Sequence, residues 1–163
     1  MKKPEKPFIP LNIAILTVSD TRTLADSIVA EGHRLSDRVL ITDDVYEIRA
    51  VVSRFIADKN IQVVISTGGT GFYGRDNMPE AVNVLFDKSI DGFGEMFRLL
   101  SKDEIGMATL QSRAIAGMAN QTAIFCLPGS TSACRMGWEK ILKEQLDNRI
   151  RPCNFVPHLL RKN

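Results

Sequence analysis

Two short runs, Ile13-Ala-Ile-Leu-Thr-Val-Ser19 and Ile61-Gln-Val-Val-Ile-Ser-Thr67, are dense in β-branched residues and almost lack polar alternation. Such a run has no face to give to water, so it predicts a strand covered on both sides. Between them, Val45, Ile48, Val51, Val52, Phe55 and Ile56 recur at the spacing that builds one apolar helix face. Asp43 or Asp44 stands where a carboxylate would cap the first turn of that helix. Arg38-Val-Leu-Ile41 reads as a weaker strand before it, so strand and helix alternate along the chain. Further on, Asn77 to Ala81 opens a helix with proline in its first turn, and Phe93 to Leu100 reads as another. Ala114 to Met118 and Thr122 to Leu127 flank Asn120-Gln121 and predict an antiparallel hairpin. A last helix follows Pro128-Gly129-Ser130, burying Trp138, Ile141, Leu142 and Leu146. The expected fold is a three-layer α/β/α sandwich with a mostly parallel sheet plus an antiparallel hairpin. Residues 11–150 form the domain, 1–10 an N-terminal arm, and 151–163, with Pro152 and Pro157, an extended C-terminal arm.

Composition excludes several classes of function. A chain of 163 residues with 44% hydrophobic content suits one domain, and a formal charge of +2 leaves no basic footprint for nucleic acid. No apolar stretch approaches the roughly 20 residues that span a bilayer, and Met1-Lys-Lys-Pro-Glu-Lys-Pro7 lacks a signal core. A cytoplasmic protein without a membrane partner is expected. Three cysteines (Cys126, Cys134, Cys153) without C-x-x-C spacing, and two distant histidines, make neither a disulfide framework nor a zinc site.

Chemistry concentrates between Thr67 and Glu80. Thr67-Gly-Gly-Thr-Gly71 lies at the carboxyl end of a predicted parallel strand, where open α/β sheets bind their ligands. Glycines there let successive N–H groups turn toward an anion. Arg75 adds positive charge, and Asp76 is of the type that holds Mg²⁺ beside substrate phosphates. The P-loop pattern is absent. Gly69, Gly71 and Gly74 spell G-x-G-x-x-G, but after the third strand and with no acidic strand end about 20 residues on, as a dinucleotide site requires. Simpler structural roles remain open for several residues. Asp43 and Asp76 can cap helices, Glu95 can be a first-turn acid, Arg113 can pair with a surface carboxylate, and Ser130 can be an N-cap.

One segment resists this scheme. Only Asp20 to Ser36 connects the first two strands, and its helical candidate, Ser27 to Glu31, spans about 8 Å. A strand of about 23 Å is normally crossed by a helix of comparable length. The expectation is a spatial break between Thr23 and Ser27, with roughly 7 to 10 further residues in the native chain.

Taken together, Thr67-Gly-Gly-Thr-Gly71, Arg75-Asp76, Pro79-Glu80-Ala81, Gly92-Phe-Gly-Glu95, Ser112-Arg113 and Leu127-Pro-Gly-Ser130 resemble the molybdenum cofactor biosynthesis proteins of the MoaB/MogA family, nearest its MoaB branch. Thr17-Val-Ser-Asp20 and Arg151-Pro-Cys-Asn-Phe155 extend the resemblance over nearly the whole chain. It implies a MoaB/MogA-like fold that forms trimers or hexamers and binds molybdopterin. Active members adenylylate that pterin with Mg-ATP, releasing pyrophosphate; the alternative is a paralogue that only binds it. By the same resemblance Gly68, Gly69, Thr70 and Gly71 bind phosphate, with Thr67 and Arg75 beside them. Asp76 sits at the metal and reacting phosphates, and Asp43 is a second acidic position. Glu95, Ser112, Arg113, Pro128, Gly129 and Ser130 belong to the pterin and phosphate pocket, and Ser19, Asp20 and Arg22 to the loop after strand 1. Family members also carry an Asp-x-Ser-Gly-type stretch after that loop, which this chain lacks.

Overall fold

The computed structural model describes residues 6–18 and 22–160. Six strands form one sheet in the order β2-β1-β3-β6-β5-β4: β1 Asn12–Thr17, β2 Arg34–Leu40, β3 Val63–Thr67, β4 Lys88–Ser89, β5 Ile115–Ala119 and β6 Thr122–Leu127. β2, β1, β3 and β6 run parallel, while β5 is antiparallel to both β6 and β4. The mostly parallel sheet and its antiparallel hairpin are therefore present as expected. At the hairpin tip Asn120 and Gln121 both adopt positive φ, +47° and +62°, which matches the twist of a tight two-residue turn.

Strand alternation divides the core in two. Ile13, Ile15, Val63, Ile65, Phe125 and Leu127 point to one face. There they meet α1 (Arg22–Ala30), α4 (Asp91–Ile105) and the helix that begins with α5 (Thr131–Gly137). Ala14, Leu16, Val64, Ile124 and Cys126 point to the other, against α2 (Val45–Ala57) and α3 (Met78–Asn83). The α2 face buries Ile48, Val52 and Phe55, each worth about 1.5–3 kcal/mol of apolar transfer. Asp44, not Asp43, caps α2, its Oδ1 accepting from the N–H groups of Tyr46 and Glu47 at 2.9 Å each.

Crossover α1 lies on one face of the sheet and α2 on the other, although both leave the neighbourhood of β1. The chain thus reverses its winding between β1 and β3, which opens a crevice at their carboxyl ends.

The first crossover corrects the expectation of a break. α1 is a continuous nine-residue helix, and Ser27 Oγ donates to Thr23 O at 2.9 Å across the predicted gap. The helix begins five residues before the expected Ser27–Glu31 turn, because Leu24 and Ala25 join Ile28 in one buried stripe. Gly32, at φ +95°, ends the helix: His33 N–H reaches Ile28 O and Gly32 N–H reaches Val29 O, the paired closure of a helix stop. β2 starts directly afterwards at Arg34, four residues before the predicted strand.

The tail is corrected as well. Its two prolines predicted an extended arm, but Val156–Leu159 form the short helix α6, with Val156 and Leu159 buried in the α1 side of the core. Proline is tolerated at such a helix start, and two apolar anchors suffice to fold the segment back. At the other end Asn148 ties down the N-terminal segment, accepting from Ile9 N–H and donating to Pro7 O, each at 2.9 Å. No helix among the described residues is long and apolar enough to cross a membrane.

His33, only 4% exposed, secures the start of β1: its Nδ1 accepts the Leu11 N–H at 3.2 Å. Burial lowers its pKa, against the opposing pull of the Asp147 and Glu31 carboxylates. Because the folded-state value is lowered, the unfolded chain takes the proton first. The associated stability is present above about pH 6.5 and is lost as pH falls toward the lowered value. Melting temperature should thus fall more steeply from about pH 7 to pH 5 in wild type than in His33→Asn, which keeps an acceptor but does not titrate. Parallel melting profiles would refute this role.

Candidate functional site

The crevice becomes a cleft of about 550 Å³ along the carboxyl ends of β1, β3 and β6. One residue from each strand exit lines it, Val18, Gly68 and Pro128. The glycine loop adds Gly69, Thr70, Gly71, Tyr73 and Asp76, and the turn after β6 adds Gly129 and Ser130. The opposite wall comes from α4 and the 3₁₀ turn Gly106–Gln111, through Phe97, Ser101, Glu104, Ile105 and Ala108. The loops therefore follow from where the chain leaves its strands, whereas the apolar wall is supplied by a helix and turn packed over them.

The loop's backbone bonds run through few residues. Gly68 N–H donates to Leu127 O and Met78 N–H to Gly69 O, both at 3.0 Å, and Asp76 N–H to Tyr73 O at 2.8 Å. The N–H groups of Gly69, Thr70 and Gly71 stay out of these bonds, in a stretch where Gly68 and Gly69 have φ of +88° and +70°. Consecutive N–H groups left over in left-handed backbone are suited to an anion. Asp76 Oδ2 accepts from Tyr73 N–H at 2.9 Å, which folds the carboxylate over the loop instead of onto α3. Ser130 caps α5, its Oγ accepting from Ala133 N–H at 3.2 Å, and lines the cleft as well. Ser112 also lines it, and its Oγ is buried without a hydrogen-bond partner.

The remaining predicted residues lie elsewhere. Thr67 is buried in the sheet, its hydroxyl bonded to that of Thr17 at 3.0 Å. Arg75 is exposed and does not line the cleft. Asp43 does not line the cleft either; its carbonyl accepts from Asn77 Nδ2 at 3.4 Å. Glu95 borders a separate cavity of about 280 Å³ with Arg98 and Ala116. Arg22 is exposed at the start of α1; Ser19 and Asp20 lie outside the described residues. Arg113 turns into the loop, pairing with Glu80 and with backbone carbonyls, and is not part of the lining. Among the described residues the charged groups lining the cleft are therefore Asp76 and Glu104, both acidic.

Sequence reasoning missed the α4 wall. Phe97, Ser101, Glu104 and Ile105 fall at i, i+4, i+7 and i+8, a helical spacing that ran past the point where the apolar pattern was judged to stop. Two thiols are chemically quiet: burial pushes Cys126 up to about 12 and Cys134 up to about 11. Both stay protonated near neutrality, so neither is a nucleophile. Among the described residues no three of His, Cys, Asp or Glu cluster as metal ligands. A single carboxylate such as Asp76 is nonetheless compatible with Mg²⁺, which relies mainly on phosphates and water.

An open, mostly parallel sheet with a cleft at the winding reversal, walled by glycine turns and lined by two acidic side chains, places the chain among the open α/β domains that carry their cleft at the carboxyl ends of the strands. The family model for a probable molybdopterin binding domain matches residues 17–148. Molybdenum cofactor biosynthesis protein B of Escherichia coli K12 is 52% identical over 168 residues, covering 98% of this chain and 99% of the relative. That alignment is longer than the 163-residue chain, so the relative carries at least five residues without a counterpart here. The protein of the same name from Staphylococcus aureus Mu50 is 39% identical, covering 84% and 88%. A crystal structure of a molybdenum cofactor biosynthesis protein B superposes with TM-score 0.78 at 32% identity, over 88% of this chain and 94% of that one. The tungsten cofactor synthesizing protein MoaB from Pyrococcus furiosus gives 0.70 at 31%, over 83% and 92%. The chain belongs to the molybdenum cofactor biosynthesis family and carries its molybdopterin-binding domain.

Gly68 offers a direct check on the cleft's architecture. Its φ of +88° disfavours any side chain, and a Cβ there would lie 2.3 Å from Val18 Cγ2 and 3.9 Å from Gly129 Cα. Gly68→Ala should therefore cost roughly 2–5 kcal/mol, the sum of left-handed strain and overpacking. Denaturant unfolding should also show part of the loss recovered in Gly68→Ala/Val18→Ala.

Proposed function

We propose that the cleft binds molybdopterin and adenylylates it with Mg-ATP. The supporting observation is the meeting of three strand exits, Val18, Gly68 and Pro128, at one glycine-lined cavity that holds Asp76. A volume of about 550 Å³ suits a pterin carrying a phosphate. In this reading a terminal phosphate oxygen of molybdopterin attacks the ATP α-phosphorus. The new O–P bond forms as the bond to pyrophosphate breaks, and pyrophosphate leaves with the electron pair. Such transfer needs positioning and charge neutralisation, not a covalent nucleophile. Mg²⁺, when bound, supplies the charge neutralisation. The chain's own part is to present the Gly69–Gly71 N–H groups to phosphate oxygens and to hold the Asp76 carboxylate beside them. The apolar wall of Phe97 and Ile105 on α4 and Ala108 on the following 3₁₀ turn excludes water from the other end, where the buried Ser112 hydroxyl has no partner.

A second reading is a protein that binds the pterin without transferring adenylate. The acidic lining favours it, because no lysine or arginine among the described lining residues balances a triphosphate. Pyrophosphate release separates the two. Wild type with molybdopterin and Mg-ATP should turn over. Asp76→Asn, which preserves an acceptor for Tyr73 N–H, should lose about 100-fold in rate while still binding the pterin. Pterin binding without any wild-type release selects the second reading, and no pterin binding removes both.

Assembly belongs to the same proposal. Met96, Leu99, Met107 and Leu110 are 46–70% exposed along α4 and the following turn, an apolar row suited to a second copy of the chain. Sedimentation should give a trimer or hexamer; a monomeric mass would reject this part.

A further inference from the structure

Arg113 lies two residues before β5, and every nitrogen of its guanidinium donates within the protein. Nε donates to Thr70 O at 3.2 Å and Gly71 O at 3.0 Å. Nη2 donates to Gly71 O and, at 2.8 Å, to Asp76 O. Nη1 pairs with the Glu80 carboxylate on α3, and the Phe72 ring covers the cation at 5.2 Å from its centroid. Arg113 thus joins both ends of the loop 70–76 to each other, to α3 and to the base of β5.

We infer that Arg113 is a positioning residue, a clamp that shapes the anion-binding face of the glycine loop with Glu80 as its anchor, and not itself a ligand. The argument starts from the trans peptide, in which C=O and N–H point in opposite directions. Drawing the Thr70 and Gly71 carbonyls onto the guanidinium therefore turns the Gly71 and Phe72 N–H groups away from it. It also gathers on the far side three carbonyl oxygens that would otherwise repel a phosphate. Holding Asp76 O fixes the backbone of Asp76, whose carboxylate is in turn set by Tyr73 N–H. Planarity matters here, because one fork reaches four acceptors and an ammonium cannot. The clamp's effect on ligand rests on the molybdopterin reading; its effect on the empty loop does not.

The test compares Arg113→Ala, Arg113→Lys and Glu80→Ala in the full chain. Amide hydrogen exchange is measured without ligand, and molybdopterin affinity separately. Arg113→Ala should speed exchange of the Tyr73 and Asp76 amides at least about tenfold and weaken molybdopterin about tenfold or more. Glu80→Ala, which touches no lining residue, should shift both readouts the same way by less, and Arg113→Lys should restore neither fully. If Arg113→Ala weakens binding with the empty loop unchanged, and Glu80→Ala is silent, Arg113 is a direct ligand and the inference is overturned. Should Arg113→Ala fail to fold, Glu80→Ala and Arg113→Lys decide by the same criteria. If wild type binds no molybdopterin but the exchange effects hold, the clamp stands and the functional reading falls.

Discussion

Everything in this molecule depends on the two-sided burial of β1, β3 and β6. Ile13, Ile15, Ala14 and Leu16 on one strand, and Val63 to Ile65 on the next, are all fully buried. A strand with no solvated face demands helices above and below, and β1 sits where the chain switches from one layer to the other. The crevice at its end is thus a consequence of covering both faces with one continuous chain. Function is placed where the winding reverses because strands there part without a connection bridging them.

The cleft's economy follows from its origin. Three strands end at it, so Val18, Gly68 and Pro128 all contribute to its lining. Arginine serves the site from behind. Arg113 neutralises carbonyls on the outer side of the loop, while the lining keeps only the acidic Asp76 and Glu104. Its partner Glu80 shows the same coupling. Partial desolvation raises its pKa, but the hydrogen bond and charge of Arg113 outweigh that and hold the carboxyl below its usual range.

Much of the architecture was legible in residue patterns. The α2 helix spans Val45–Ala57 as its apolar spacing predicts, and the hairpin turns at Asn120-Gln121. Where reading failed, a local rule met a tertiary partner. The crossover offered only Ser27 to Glu31 as a helix, yet Leu24, Ala25 and Ile28 all find the sheet and Gly32 stops the helix cleanly. The tail's prolines argue for extension, but two anchors, Val156 and Leu159, fold it onto the core. Of the site residues, Gly68 to Gly71, Asp76, Ser112 and Pro128 to Ser130 converge on the cleft, whereas Thr67, Arg75, Glu95 and Arg113 do not line it.

By itself, then, the sequence determines the layer order, the strand that carries the glycine loop and the family to which the chain belongs. These depend on periodicity and on short motifs, which are local. Only the tertiary structure decides that α4 walls the cleft, that Asp44 rather than Asp43 caps α2, and that Arg113 faces inward. The acceptors that turn Arg113 inward are supplied by residues 33 to 43 positions away in the chain, and no local pattern encodes that choice.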